Sequence, residues 1–240
     1  MSVKDLIAPE VHGASNLAKD RPALYVGNHT LTGVLDVPHL AYVLRKHGIR
    51  PRGLGDRRHF LVPGWAQLLT AAGIVEGTRE ICSQLMEAGE HIVVYPGGGR
   101  EVMKRKGEKY QLLWAERVGF ARMAIKHAYP IVPFASVGAE ECYDIVLDAG
   151  DLMRTPVGGA LKRLGMPADL MPPLLKGWKG TPLPKPQKFY FWFGEPIDTT
   201  RFGRRWEEDG PAQELRDEVK AAVNQGIEFL LATRELKQSG

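Results

Sequence analysis

Apolar residues recur along this chain with two alternating periods. Short apolar runs at 23–26 (Ala-Leu-Tyr-Val), 92–95 (Ile-Val-Val-Tyr) and 131–137 (Ile-Val-Pro-Phe-Ala-Ser-Val) have strand length, as does the aromatic run at 188–194. Between them the spacing is helical. Val37, Leu40, Val43 and Leu44 predict a helix over 36–47, with Pro38 in its first turn and Gly48 at its end. A short helix is expected over 63–72 before Gly73, and another over 78–88 with Thr78 as N-cap and Gly89 as terminator. Leu112, Leu113, Val118, Phe120, Met123 and Ala124 predict a long helix over 111–127, and an amphipathic helix closes the chain over 211–237. Helices alternating with strands imply an α/β fold, with a mostly parallel central sheet flanked by helices.

The pattern breaks between 155 and 188, where seven prolines interrupt apolar residues and lysines. No continuous helix survives that density of proline. Neither an internal repeat nor a convincing linker divides the chain. It reads as one domain over 1–240, with 155–188 as an inserted lid or membrane contact. In that span Leu161, Leu164, Met166, Leu170, Met171, Leu174, Leu175 and Trp178 supply apolar surface. Lys162, Arg163, Lys176, Lys179, Lys185 and Lys188 set positive charge against Asp169 alone. Apolar insertion beside cations suits an anionic membrane interface, so residues 161–188 are the expected membrane contact; a core-packed lid or a dimer contact is the plainer reading.

Composition narrows the class little. The 240 residues are 44% apolar and 25% charged, with a formal charge of +4, which is ordinary for a globular domain. Two cysteines, Cys82 and Cys142, form no metal spacing or disulfide framework, so a reducing, cytoplasmic setting is expected. No apolar window reaches the ~18 residues that a membrane-spanning helix needs, and residues 1–20 lack a signal-type apolar segment. His12, His39, His47, His59, His91 and His127 show no ligand pairing, so no metal is expected. Glu140, Glu141 and Asp144 read as a solvated turn, and Lys104-Arg105-Lys106 as a solvated charge run that could also meet phosphates. No basic helix or aromatic-basic platform points to nucleic acid.

Chemistry concentrates in two segments that each follow an apolar run. The first is 27–36, Gly-Asn-His-Thr-Leu-Thr-Gly-Val-Leu-Asp; the second is 95–101, Tyr-Pro-Gly-Gly-Gly-Arg-Glu. His29 at a strand's carboxyl end can act as a general base, with Asp36 orienting its ring across a loop through Gly33. Equally, Asp36 can serve as the helix N-cap and His29 can simply close the strand. The backbone N–H groups of Gly97, Gly98 and Gly99 can approach an oxyanion, and Arg100 can hold a phosphate, or the segment is a plain turn. Glu101 orients Arg100 or sits in a helix first turn. Thr78-Arg79 at a helix start can bind an anionic group or stand as a capped surface helix.

These segments carry a family resemblance. His29-x6-Asp36, then Tyr95-Pro96-Gly97-Gly98-Gly99-Arg100, then Ile131-Val132-Pro133-Phe134 resemble the ordered blocks of the glycerolipid acyltransferase superfamily over roughly residues 20–145. That family usually shows Asn-His-x4-Asp and Phe-Pro-Glu-Gly-Thr-Arg. Here the first spacing is two residues longer, and Gly97 stands where glutamate is usual. The Gly-Gly-x-Arg-Glu form looks more like the diacylglycerol-acyltransferase-like branch, whose acceptors are often neutral. The resemblance implies a glycerol-3-phosphate acyltransferase-like fold and acyl transfer from acyl-CoA or an acyl-carrier protein to a glycerolipid or lysophospholipid hydroxyl. It implies His29 as base without a covalent intermediate, Asp36 as its partner, and Gly97–Gly99 with Arg100 as oxyanion and phosphate cradle. Thr78, Arg79 and Glu101 fall on the acceptor side. A thioesterase, or a non-catalytic lipid-binding protein on the same scaffold, are the alternatives. No Gly-x-Ser-x-Gly elbow is present for a serine hydrolase.

Overall fold

A computed structural model describes residues 8–18, 20–163 and 171–239. In chain order its elements are β1 (Glu10–His12), β2 (Leu24–Gly27), α1 (Asp36–Lys46), β3 (Arg52–Gly55), α2 (Trp65–Ala71), β4 (Ile74–Glu76), α3 (Arg79–Glu87) and β5 (Ile92–Val94). Then come α4 (Gly98–Val102), α5 (Gly119–Lys126), β6 (Ile131–Val137), β7 (Asp144–Leu147), α6 (Ala149–Met153), α7 (Pro156–Arg163), β8 (Leu174–Lys176), β9 (Tyr190–Phe193) and α8 (Asp209–Ser239).

Seven strands form one sheet in the order β1-β9-β6-β2-β5-β3-β4, and β7 and β8 form a separate antiparallel ribbon. Every pairing in the large sheet is parallel except β6 with β9. The central strands are buried on both faces, which is why they read as continuous apolar runs. Their side chains alternate between two cores. Leu24, Val26, Ile92, Ile131 and Ala135 face the layer of α3, α5 and α8, while Tyr25, Val93, Val132 and Phe134 face α1. From β2 the chain builds outward to β3 and β4, returns to insert β5 beside β2, and continues to β6 on β2's other side. The reversal places a crevice at the carboxyl ends of β2 and β5, where open α/β sheets bind ligands.

The strands expected at 23–26, 92–95, 131–137 and 188–194 are present, each within a residue or two. The helix expected over 111–127 is not: only Gly119–Lys126 is helical. Residues 111–118 instead run as an irregular segment that buries Leu112 and Trp114, with Ala115 at φ 47°. The left-handed backbone at Ala115 breaks any helix across this stretch, and the Leu113 N–H bonds to the Glu101 side chain instead. Strands β1, β3 and β4 are additions to the sequence reading. They are three or four residues long, too short for a period to register.

In the proline-rich span Leu174 of β8, and Trp178 and Leu183 beyond it, are exposed, but Met171, expected at the surface, is buried. Leu164, Met166, Asp169 and Leu170 of that expected contact lie outside the described residues, as do the side chains of Leu161 and Lys162. Among the described residues, no helix is long and apolar enough to cross a membrane.

Helix α8 lies against β6 and β9 at Gly226, where a methyl group would sit 2.9 Å from the Ala135 Cβ and closer still to the Trp192 ring. Gly226→Ala should therefore lower stability by about 1–3 kcal/mol through overpacking, although alanine's helix propensity alone favours it by ~1 kcal/mol. The shift in denaturant midpoint measures the net sign.

Candidate functional site

The site is built where the chain leaves β2 and β5. Strand β2 ends at Gly27, and Asn28 prolongs its pairing with β6 through side-chain bonds. The Asn28 amide donates to the Ser136 carbonyl (3.0 Å), and the Ser136 N–H donates to Asn28 Oδ1 (2.8 Å). This pseudo-strand pair fixes the point from which His29 departs. The loop then turns through Thr32 (φ 70°) and Gly33 (φ 65°), the Thr32 N–H reaching the Val102 carbonyl at 3.0 Å. A methyl on Gly33 would lie 2.8 Å from His29 Nε2 and nearer its Cε1, so the loop folds directly over the ring.

His29 Nδ1 is 3.1 Å from Asp36 Oδ2, and the carboxylate is almost fully buried. An ionised carboxylate only accepts, so Nδ1 carries the proton and Nε2 of the neutral ring holds a lone pair. Asp36 also accepts from the Thr30 N–H (3.0 Å) and, at the start of α1, from the Val37 N–H (3.0 Å). The alternative of Asp36 as N-cap does not hold: Asp36 is the first helical residue, Leu35 is the N-cap, and no side chain caps the helix. Burial works to raise the Asp36 carboxyl, but the facing His29 ring and the Thr30 N–H hold it below its ordinary value. Tyr95 stacks on the imidazole with centroids 4.1 Å apart and 17° between planes, and its own ring meets Phe134 edge-on.

Gly97, Gly98 and Gly99 enter the short helix α4, not an open turn. Arg117 clamps this entry, donating to the carbonyls of Pro96 and Gly97 at 2.8 Å each. Arg100 turns toward the Glu108 carboxylate, with a second bond to the Met103 carbonyl (3.3 Å). Glu101, expected near the acceptor, is instead fully buried, accepting the N–H of His29 (3.0 Å) and of Leu113 (3.1 Å). A methyl on Gly97 would overlap that carboxylate, so Gly97 makes room for Glu101. Burial raises the Glu101 carboxyl, against the pull of nearby Lys104 and the His29 N–H.

Lys104 and Glu140, expected in solvated stretches, form a buried ion pair. Glu140 also accepts the Tyr110 N–H (2.8 Å). Next to the His29 loop opens a cavity of about 240 Å³, lined by Leu31, Lys104, Arg105, Lys106, Tyr143 and Ile145 among others. Thr78 and Arg79 lie on the same sheet edge but beyond β4, three strand spacings or roughly 14 Å from β2. The Thr78 hydroxyl caps α3 through the Ile81 N–H (3.1 Å), and Arg79 is exposed. The structure therefore gathers His29, Asp36, Glu101 and Gly97–Gly99, and sets Thr78–Arg79 apart. Asn28 and Tyr95, which stand in the two motif segments with no role assigned to them, and Arg117, which no motif marked, complete the site.

A family model described as Acyltransferase matches residues 8–137. Phytyl ester synthase 2, chloroplastic, from Arabidopsis thaliana is 32% identical over 250 residues, covering 94% of this chain and 34% of that protein. The chain thus spans about a third of that relative's length. A human protein named DGAT1/2-independent enzyme synthesizing storage lipids is 31% identical over 132 residues, 55% of this chain and 40% of its own. The crystal structure of the 1-acyl-sn-glycerophosphate (LPA) acyltransferase PlsC from Thermotoga maritima matches with a TM-score of 0.54 at 18% identity, covering 95% of this chain and 74% of that one. At that identity the likeness establishes the fold.

Two stability measurements probe this geometry. Glu101→Ala strands the N–H groups of His29 and Leu113, and should cost about 2–5 kcal/mol in chemical denaturation. Asp36 has a folded value below its ordinary 3.8, so its ionised form adds stability that is complete above that value and drains as pH falls through and below it. Asp36→Asn should be less stable than the parent at neutral pH, with the gap closing in acid unfolding titrations below about pH 4.

Proposed function

The chain belongs to the acyltransferase family, and we propose that it moves a fatty acyl group from a thioester donor, acyl-CoA or acyl-carrier protein, to a lipid hydroxyl. The observation that carries this reading is the His29–Asp36 contact with Nε2 left as acceptor. Nε2 takes the proton from the acceptor hydroxyl as its oxygen attacks the thioester carbonyl. Asp36 stabilises the resulting imidazolium. The tetrahedral oxyanion collapses, the C–S bond breaks, and the leaving thiolate recovers the proton from His29. Ester and free thiol result, with no acyl-enzyme. The backbone N–H groups of Gly97 and Gly99 at the start of α4 are the candidate oxyanion donors, since that of Gly98 is already bonded to the Tyr95 carbonyl (3.0 Å).

Two observations favour a neutral acceptor, a glycerolipid or long-chain alcohol, over a phosphorylated one. Arg100 is already neutralised by Glu108, so binding a phosphate means displacing an internal carboxylate. Relatives of this chain are also named for phytyl esters and storage lipids. Arg79 stays available on the rim for an anionic donor or acceptor group. This reading places the work at a membrane surface and, like the cytoplasmic setting, stands as part of the proposal.

Acyl transfer from labelled palmitoyl-CoA or palmitoyl-acyl-carrier protein into lysophosphatidic acid, monoacylglycerol, diacylglycerol and phytol tests it. The parent should label a neutral lipid. His29→Ala should lose about 10²–10⁴-fold in kcat, and Gly33→Ala should lose activity by displacing the ring while the fold persists. Undiminished transfer by folded His29→Ala rejects the mechanism, and label only in free fatty acid makes the chain a thioesterase.

A further inference from the structure

Residues between β3 and β4 form an excursion that buries none of its side chains. Neither the 3-10 turn Arg57–Leu61 nor helix α2 contains a buried residue. Phe60, Ala66 and Leu69 are half-buried, the Phe60 ring within van der Waals reach of a methyl placed on Gly55. Leu61 is 70% exposed, Val62 53%, Trp65 41% and Leu68 59%. Trp65 and Leu68 are three apart on α2 and share a face. Ordering a segment costs conformational entropy that exposed apolar groups do not repay in water.

The surroundings are cationic. Arg45, Lys46, Arg50, Arg52, Arg57 and Arg58 stand against Asp56 alone between residues 45 and 58. Arg58 is bound to Asp56, and Arg57 lies 3.5 Å from Glu76. Arg45, Lys46 and Arg50 are exposed, and the Arg45 guanidinium donates to the Ala72 carbonyl (3.4 Å) at the end of α2, which brings that charge against the apolar excursion. An apolar face with a tryptophan, rimmed by arginine and lysine, has the chemistry of an element lying in an anionic lipid interface.

Topology adds the functional link. The excursion leaves β3 at Gly55, and β3 is parallel to β5, which is parallel to β2. It therefore starts at the same carboxyl edge as His29, and α2 carries it back toward the amino ends of β3 and β4, where Arg45, Lys46 and Arg50 lie. Val34, in the His29–Asp36 loop, is 63% exposed at that edge.

We propose that residues 57–71 dock the protein on an anionic bilayer along the length of α2: Leu61, Val62, Trp65 and Leu68 enter the interface while Arg45, Lys46 and Arg50, toward the far end of α2 at Ala72, meet lipid phosphates. The ribbon of β7 and β8, with Leu174 and Trp178, leaves the sheet beyond β6 on the other side of β2, so it is a separate surface. The inference deepens the acyl-transfer reading, but its test involves no turnover.

The experiment is flotation of the whole chain with vesicles of phosphatidylcholine, with and without phosphatidylglycerol, at low and high salt. The parent should float with the anionic vesicles and release as salt rises. Trp65→Ser with Leu68→Ser should partition at least about tenfold less, and Lys46→Glu with Arg50→Glu should lose the salt-dependent binding. Both pairs are exposed, so their thermal unfolding should match the parent's. Turnover of soluble short-chain substrates should be unchanged in both, and His29→Ala should float like the parent, which separates failure of docking from failure of the mechanism. The proposal is overturned by no parent binding to anionic vesicles, by undiminished flotation of Trp65→Ser with Leu68→Ser, or by a parent dimer in sedimentation that this variant dissociates. If binding is lost only in Trp178→Ser with Leu183→Ser, the contact belongs to the ribbon and the proposal fails likewise.

Discussion

The Glu101 carboxylate, wholly withdrawn from solvent, takes the backbone N–H of His29 on one oxygen and of Leu113 on the other. Three segments distant in sequence meet at that group: the loop after β2, helix α4 after β5, and the irregular stretch before α5. A carboxylate is buried at a cost that only good donors offset, so its position dictates theirs. Gly97 must lack a side chain because the carboxylate fills that space. The 111–118 segment is not helical there, because Ala115 stands at φ 47°, outside the right-handed helical region. Helix α4, only five residues long, is too short to hold its shape by propensity and is held by these contacts.

Charges on one short stretch then diverge. Arg100 goes to Glu108, Glu101 to the His29 loop, and Lys104 to Glu140. Behind Glu140, the neighbouring Glu141 binds the Tyr110 hydroxyl, Lys109 (2.8 Å) and Arg234 of α8 (2.8 Å). Buried ion pairs are weak evidence of stability, since desolvation consumes much of the attraction. Their effect here is geometric: the last turns of the C-terminal helix are tied to the segment that also supports the histidine.

What the sequence made legible follows from what has a period. Central strands announce themselves as apolar runs, and α1 and α3 carry both spacing and stop signals. Strands β1, β3 and β4 are too short to show alternation, and the 111–118 stretch mimics a helix because alternating buried residues and helical spacing overlap over few positions. In the site, His29, Asp36 and the glycines were visible as motif residues. The partners of Lys104, Glu101 and Glu140 were not, because a charged residue looks the same in sequence whether it is solvated or buried against a partner 36 residues away. Exposure of Leu61, Trp65 and Leu68 was likewise hidden, since helical spacing of apolar residues ordinarily means a packed face.

Two departures from the acyltransferase blocks are each matched by a local compensation. The His29-to-Asp36 loop is two residues longer than the usual spacing, yet lengthening a loop costs little entropy. This loop also closes on itself, the Gly33 N–H reaching the Thr30 carbonyl at 3.1 Å. Glycine at 33 then lets the backbone cross above the imidazole in a left-handed turn that a side chain would obstruct. The second departure is glycine at 97, where the blocks usually carry glutamate. The space it vacates holds the carboxylate of Glu101, one helical turn along. Each departure therefore removes a group or adds length at one position and restores the constraint at another. What these changes alter is the surroundings of the histidine: a longer loop bearing an exposed Val34, and an Arg100 turned to Glu108. Both leave the surroundings of the histidine with an exposed apolar side chain and one fewer unpaired cation.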